Sequence, residues 1–321
     1  MLRELYAGRD MEAVRARYGA AIEEFEGLYG KAENVSVFSV AGRSEICGNH
    51  TDHNHGKVLA ASIDLDIIAV AAKTDDGTVR IKSAGFPEDI VDTASLSPVE
   101  AEKGKSSALI RGVCDGFAKN GHAVGGFAAY TTSDILGGSG LSSSAAFEDM
   151  VGTVLNHFYN DGQIGYMELS QISQYAENVH FGKPCGLMDQ VACAAGGFVY
   201  IDFGNSDTPA AERVELNLAE HGYSLCIVNT GGSHANLTDD YAAVPAEMKK
   251  IAAFFEKPVL RGITKEELLQ NAAALRRTAG DRAVLRALHF VKENTRVERL
   301  MQALKDGNIS SFLTIIKESG R

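Results

Sequence analysis

The sequence predicts an α+β protein of two domains. Three observations carry that expectation. The chain has 321 residues, more than one ordinary hydrophobic core organises. Its strand-like runs are joined both by short Gly/Asp turns and by helix-length amphipathic stretches, so hairpins mix with helical crossovers instead of alternating as regular βαβ units. Beyond Tyr241 the apolar spacing turns helical and stays so. The turn-rich residues 205–209 set the boundary, giving an N-terminal domain over 1–208 and a C-terminal domain over 209–321.

The elements follow in order. Residues 10–30 carry Val14, Tyr18, Ile22, Phe25 and Leu28 at helical spacing, with Gly30 as the stop. The β-branched and aromatic run 35–40 reads as a strand that feeds a polar stretch, 41–56. Strands are expected over 63–72 and 78–83, with Asp75-Asp76-Gly77 as a hairpin-type turn between them. A helix over 107–120 and a strand over 126–132 lead into a Gly/Ser-rich turn, after which helices are expected over 143–159 and 166–179. Gly182 and Pro184 interrupt that pattern before the apolar run 191–195. Residues 198–203 and 223–229 read as strands, and 245–255, 265–277, 282–304 and 309–316 as helices.

Composition narrows the function classes. Hydrophobic residues make up 45% and charged residues 23%, the balance of a globular protein with a sizeable core. A net charge of −11 argues against nucleic acid and against anionic membrane as partners. The five cysteines (Cys47, Cys114, Cys185, Cys193, Cys226) are odd in number and form no C-x-x-C pair, which fits reduced thiols rather than a disulfide framework. With no apolar leader and no membrane-length apolar run, the expectation is a cytoplasmic soluble protein, taken as a monomer.

The stretch Gly137-Gly138-Ser139-Gly140-Leu141-Ser142-Ser143-Ser144-Ala145-Ala146 is the main chemical signal. Glycines let a backbone approach a ligand closely, and serines at the start of a helix leave N–H groups and hydroxyls at its positive end. Such a terminus binds anions, phosphate above all. An ordinary serine-capped loop is the plain alternative. Other signatures fail: Gly104-Lys105-Ser106 has Val99 where a P-loop needs its first glycine. Ser143 stands at the last glycine of G-x-G-x-x-G, and Leu141 closes what would be the nucleophile elbow. The cluster His50-Thr51-Asp52-His53-Asn54-His55 offers metal-ligand chemistry, but neighbours on one loop rarely converge on one ion, so a substrate-facing loop is the stronger reading beside a solvated one.

Three stretches then resemble one family. Gly42-Arg43-Ser44-Glu45-Ile46-Cys47-Gly48-Asn49-His50-Thr51-Asp52-His53 resembles the galactokinase signature G-R-x-N-L-I-G-E-H-T-D-Y. The Gly/Ser stretch resembles the second motif of the GHMP small-molecule kinases, and Pro184-Cys185-Gly186-Leu187-Met188-Asp189-Gln190 resembles the segment P-C-G-I-M-D-Q. His234 followed by Tyr241 is a weaker fourth match. The resemblance implies a two-domain GHMP kinase fold, with an N-terminal domain like domain 2 of ribosomal protein S5 and an incomplete ferredoxin-like C-terminal domain. It implies ATP and Mg²⁺, and transfer of phosphate to the anomeric hydroxyl of galactose or a close relative. By that resemblance Gly138, Ser139, Gly140, Leu141, Ser142, Ser143 and Ser144 hold the ATP phosphates, and Ser144 and Glu177 the metal. Asp189 takes the sugar proton, with Arg43 beside it stabilising charge. Asn49, His50, Asp52, Gly186 and Tyr241, together with Arg43 and Asp189, contact the sugar. Taken singly, Asp189 also reads as a helix cap, Glu177 as one charge on an exposed face, Arg43 as a surface ion pair and Tyr241 as a packing residue.

The chain departs from the pattern in six respects. Asn49 stands where the signature has glutamate, keeping an acceptor but losing the charge, so a galacturonate-type sugar is an alternative acceptor. Ser44-Glu45 and His53 also differ from the signature, and Leu136 replaces the usual proline. After Tyr241, Ala242-Ala243-Val244-Pro245 replaces an arginine-rich continuation. The family's third motif, G-G-G-F-G-G, is absent, which leads to the expectation of a chain that covers three quarters of a family member and is inactive or poorly soluble by itself. A non-catalytic sugar and ATP sensor is the alternative from another class.

Overall fold

The computed structural model describes residues 2–6, 8–135, 137, 140–205, 208–228 and 238–320, with the side chains of Glu4 and of 238–242 outside the description. Gly138, Ser139, His234 and the Tyr241 side chain therefore lie outside the described residues. Two compact units emerge. The first holds residues 1–43 and 62–195, and the second holds 44–61 and 196–321. The sequence reading cuts the chain once, after residue 208; the units instead interleave, because β1 (Val35–Cys47) and β2 (Lys57–Lys73) each give residues to both.

In the first unit, β2 pairs antiparallel with β5 (Phe127–Ser133), and β5 pairs parallel with β3 (Thr78–Ser83). β4 (Glu88–Asp92) closes the edge against β3. This corrects the expected β2–β3 hairpin: the turn at Asp75-Asp76-Gly77 exists, with Thr78 N–H on Asp76 Oδ1 at 3.1 Å, but β5 lies between the strands it joins. A turn signature specifies a change of direction, not the strand that fills the gap. The crossover from β3 and β4 to β5 is α3 (Ser106–Lys119), as a parallel pair requires. α1 (Leu2–Leu5) precedes α2 (Met11–Tyr29), which is capped by Asp10 accepting from Glu12 N–H and packs Ala21 and Phe25 on Ile68, Val70 and Ala128. α3, α4 (Ser143–Tyr159) and α5 (Tyr166–Tyr175) bury Phe117, Met150, Leu155 and Ile172 with Ile81 and Phe127 of the sheet. Each such side chain contributes about 1.5–3 kcal/mol by leaving water.

The helix expected over 166–179 runs to Tyr175 and then changes pitch. Residues 176–181 form one wide π turn that ends at Gly182, and the N–H groups of Gly182 and Lys183 both donate to the Glu177 carbonyl. Single π turns of this kind re-aim side chains relative to a regular helix. α6 (Met188–Ala195) completes the unit.

In the second unit, residues 57–61 of β2 pair antiparallel with β6 (Phe198–Asp202), which pairs with β7 (Ala210–Val214). Of the strand expected over 223–229, residues 223–228 form no ladder among the described residues, and Tyr223, Leu225, Ile227 and Val228 are exposed. Alternation alone does not make a strand; its N–H and C=O groups need a neighbouring strand. The helices are α7 (Thr238–Phe254), α8 (Lys265–Gln270), α9 (Ala272–Ala279), α10 (Asp281–Lys305) and α11 (Ile309–Ser319). α7 starts before Pro245, which sits inside it, and the helix expected over 265–277 breaks at Asn271. Met248, Ile251, Leu260, Leu268, Leu275 and Phe290 form one core of this unit; Cys47, Leu59, Val297, Leu300, Phe312 and Ile315 form another. Among the described residues no helix is long and apolar enough to cross a membrane.

Candidate active site

In the first unit the sequence signals converge on the start of α4. The first part of the polar stretch 41–56 is strand: β1 continues to Cys47 and so places Arg43 on a strand. Its neighbour Gly42 has no room for a side chain, since a Cβ would lie 2.9 Å from the Leu141 carbonyl oxygen and 3.2 Å from Ile135. The bare backbone lets β1 close on the Gly/Ser turn, where Arg43 N–H donates to the Leu141 carbonyl at 3.3 Å.

Arg43 then makes the central contact. Its Nε donates to Asp189 Oδ1 at 2.9 Å, a second guanidinium nitrogen lies 2.8 Å from the same oxygen, and a third donates to the Gly140 carbonyl at 2.6 Å. The other oxygen, Asp189 Oδ2, accepts from the Ser142 hydroxyl at 2.6 Å. Asp189 is in the first turn of α6 with its side chain 37% exposed, and Arg43 is 14% exposed. One guanidinium thus ties Asp189 to the turn, while the carboxylate keeps access to solvent. Ser142 sits at the cap position of α4 in the left-handed region (φ 61°), and its hydroxyl goes to Asp189 and not to the helix. The first N–H groups of α4 then have no capping hydroxyl from Ser142 and no intrahelical partner, leaving a positive helix end.

A second group follows on the same helix. Ser144 Oγ donates to Glu177 Oε1 at 3.2 Å, and Lys183 donates to that oxygen at 3.0 Å. Glu177 is buried, against the reading of an exposed helix face, because the π turn carries it inward. Gln190, next to Asp189, points the other way and donates its amide to Glu177 Oε2 at 3.0 Å and to Glu148 Oε2 at 3.2 Å. Glu148 is fully buried; burial and the nearby Glu177 charge push its pKa well up, and its Oε1 has no hydrogen-bond partner among the described residues. Burial likewise pushes the Cys185 thiol up. Sequence reasoning missed Lys183, Glu148 and the bridging role of Gln190. Only the last had a signal, its place in the Asp189-Gln190 pair.

Among the described residues no group of three or more His, Cys, Asp or Glu is placed to hold a metal ion, which suits none of the transition-metal geometries. Ser144 and Glu177 still offer two adjacent oxygens. Such a pair fits Mg²⁺, which keeps several waters and takes phosphate oxygens for the rest.

In the second unit, residues 48–56 form a compact loop. Thr51 is fully buried, with its hydroxyl 2.8 Å from the Gly48 carbonyl and 2.7 Å from that of Lys57. Asp52 opens a short 3-10 turn, Asp52–Asn54, and lies 3.7 Å from His53. Burial holds the His50 imidazole below its ordinary value, against the opposing pull of Asp52. Asn49 is exposed, and its carbonyl accepts from His289 at 2.8 Å. Gly186 lies in the irregular segment before α6, in the first unit.

Comparison with known proteins supplies the context. Residues 23–73 match the galactokinase galactose-binding signature, and residues 108–197 match the GHMP kinases N terminal domain. The chain is 32% identical over 311 residues to a galactokinase of Streptomyces coelicolor, covering 96% of this chain and 78% of that one. It is 30% identical to a galactokinase of Bacillus subtilis, covering 92% and 76%. A crystal structure of Lactococcus lactis galactokinase complexed with galactose superposes with a TM-score of 0.81 at 27% identity, over 94% of this chain and 78% of that one. A D-glycero-D-manno-heptose 1-phosphate kinase, at 18% identity and a TM-score of 0.55, shares the fold.

Proposed function

The chain belongs to the galactokinase family, and from that premise we propose that it moves the γ-phosphoryl group of ATP onto the anomeric hydroxyl of galactose, yielding the sugar 1-phosphate and ADP. The observation that carries this reading is the Arg43–Asp189–Ser142 cluster at the start of α4. The Ser142 hydroxyl rotates away, and Asp189 Oδ2 accepts the proton of the sugar hydroxyl as its oxygen bonds to the γ-phosphorus. The bond from that phosphorus to the bridging oxygen breaks, and ADP leaves with the electron pair. Arg43 holds Asp189 in place and offsets the charge that develops on the phosphoryl oxygens. The turn from Gly138 to Ser144 and the first N–H groups of α4 cradle the nucleotide phosphates. Ser144 and Glu177 would hold Mg²⁺, which neutralises phosphate charge when bound. Asn49, His50, Asp52, Gly186 and Tyr241 contact the sugar hydroxyls, where several oriented acceptors select one stereochemistry. The free cysteines favour a reducing compartment, the cytoplasm. The relatives' shared name favours galactose over galacturonate, despite Asn49.

A coupled ADP-release assay over a sugar panel tests the proposal. Galactose-dependent ADP formation, with galacturonate at least about tenfold poorer in kcat/KM, is the expected result and would overturn the expectation of a chain inactive without the third motif; that factor is about 1.4 kcal/mol of discrimination. ATP binding with no ADP from any hexose would return the chain to the class of sensors.

A further inference from the structure

The second unit contains a buried carboxylate that the reaction does not use. Glu293, on α10, is fully buried and gathers four donors. They are the Gly48 N–H at 3.2 Å, the Cys47 thiol at 3.4 Å, the Ser319 hydroxyl at 2.7 Å and the Arg296 guanidinium. Burial alone would raise its pKa, but the hydrogen bonds from Ser319, Gly48 and Arg296 outweigh it and hold the carboxyl below its ordinary range. One turn earlier on α10, His289 donates Nε2–H to the Asn49 carbonyl at 2.8 Å. Residues four apart share a helix face, so both side chains meet the loop from the same side.

What they hold is the first step of the loop. Gly48 has φ 105°, and a Cβ there would lie 2.5 Å from the Lys57 carbonyl oxygen and 2.8 Å from Val58 Cα. Only bare backbone passes this point, so no side chain of residue 48 can anchor the segment. Anchoring falls to the main chain: the N–H of Gly48 and the carbonyl of Asn49, on consecutive residues, are both taken by α10. A buried charge is a poor way to gain stability, since apolar packing of the same volume often does as well. A carboxylate with directed donors does fix one conformation of the groups that reach it.

We propose that α10 is the frame of the sugar loop, with Glu293 and His289 as positioning residues that hold Gly48 and Asn49 so that Asn49, His50 and Asp52 meet the sugar in a single geometry. The inference rests on the reading of 49–52 as sugar-binding residues. Without the frame, sugar binding must also order the loop, and that cost appears in the sugar's KM.

The test uses His289→Ala, His289→Gln and Glu293→Gln in the full chain. In His289→Ala the KM for galactose rises about threefold to tenfold, the worth of one hydrogen bond, while the KM for ATP stays within about twofold. His289→Gln, whose amide can donate to the same carbonyl, restores the galactose KM. Glu293→Gln raises it at least as far as His289→Ala does, because its amide hydrogens face donors. Amide hydrogen exchange over residues 47–52, measured without ligands, quickens in His289→Ala and returns toward wild type in His289→Gln. Unchanged galactose KM and unchanged exchange in a folded His289→Ala protein would overturn the proposal, as would an ATP KM that rises in step. If the wild-type chain makes no ADP with any sugar, the functional reading fails, and the exchange measurement alone decides the framing of the loop.

Discussion

Two sets of carboxylates in the first unit receive opposite treatment. Asp189 stays part-exposed and is gripped by a guanidinium and a hydroxyl. Glu148 and Asp149 are buried, their side-chain partners are the neutral Gln190 amide and Ser173 hydroxyl, and each leaves one oxygen without a partner among the described residues. Glu177 stands between these cases, buried yet met by Lys183 and Ser144. The difference is one of solvation. An acid that must act as a charged base needs a cation and water nearby, whereas burial without a cation favours the protonated form. Position in sequence does not separate the two sets, for Asp189 and Gln190 are adjacent and serve one each.

The largest expected effect breaks the first set. Asp189→Asn keeps the shape and an acceptor for Ser142 but removes the group proposed to take the proton. We expect turnover to fall by about 10²–10⁴-fold, the usual worth of a positioned general base, with ATP affinity nearly unchanged. Initial-rate kinetics and nucleotide titration of the same preparation check this. A variant with near-normal kcat would remove Asp189 from the reaction and leave the cluster as an ordinary ion pair.

The next effect falls on the link between the sets. Gln190 donates to both Glu148 and Glu177, so Gln190→Leu leaves two buried carboxyl groups without their shared donor. A buried acceptor left unpaired costs about 1–3 kcal/mol. The expectation is a lower melting temperature and a higher Mg²⁺ concentration for half-maximal rate, with the galactose KM little changed. A galactose KM that rises while the Mg²⁺ response stays fixed would mean that Gln190 serves the sugar and not Glu177.

Much of this was legible beforehand, and the reasons for the rest are physical. α2, β3, β5 and α4 follow from periodicity and turn chemistry, which are local. The Arg43–Asp189 pairing was implied only by the family resemblance, and the Ser142 contact with Asp189 was not read at all, since nothing in three distant segments states their contact. The extension of β1 through Arg43 was hidden because its polar residues lack strand alternation; their pairing comes from β2. The failed β2–β3 hairpin and the missing strand at 223–228 share a cause: strand formation depends on a partner that the segment itself does not encode. Glu148 and Asp149 gave no signal at all. Two acids in a row on a helix read as solvated, and only the packing of α4 among α3, α5 and α6 makes them internal.

The smallest effect concerns Asp149, and its sign can be worked out. Burial pushes its pKa well above the ordinary aspartate value, with Ser173 pulling the other way. The folded state therefore binds this proton more tightly than the unfolded chain, whose aspartates titrate near 3.9. The resulting stabilisation is complete below that unfolded value and is lost as pH rises through the raised folded value. Asp149→Asn keeps an acceptor for the Ser173 hydroxyl and cannot ionise, so it lacks this pH-dependent loss. Whatever fixed cost the new amide carries, the wild-type melting temperature should decline relative to the variant's as pH is raised from about 4 toward 8. Thermal melts of both proteins across that range, without ligands, measure the gap. A gap that widens in favour of wild type with rising pH would place a charged Asp149 in the core and dissolve the contrast with Asp189.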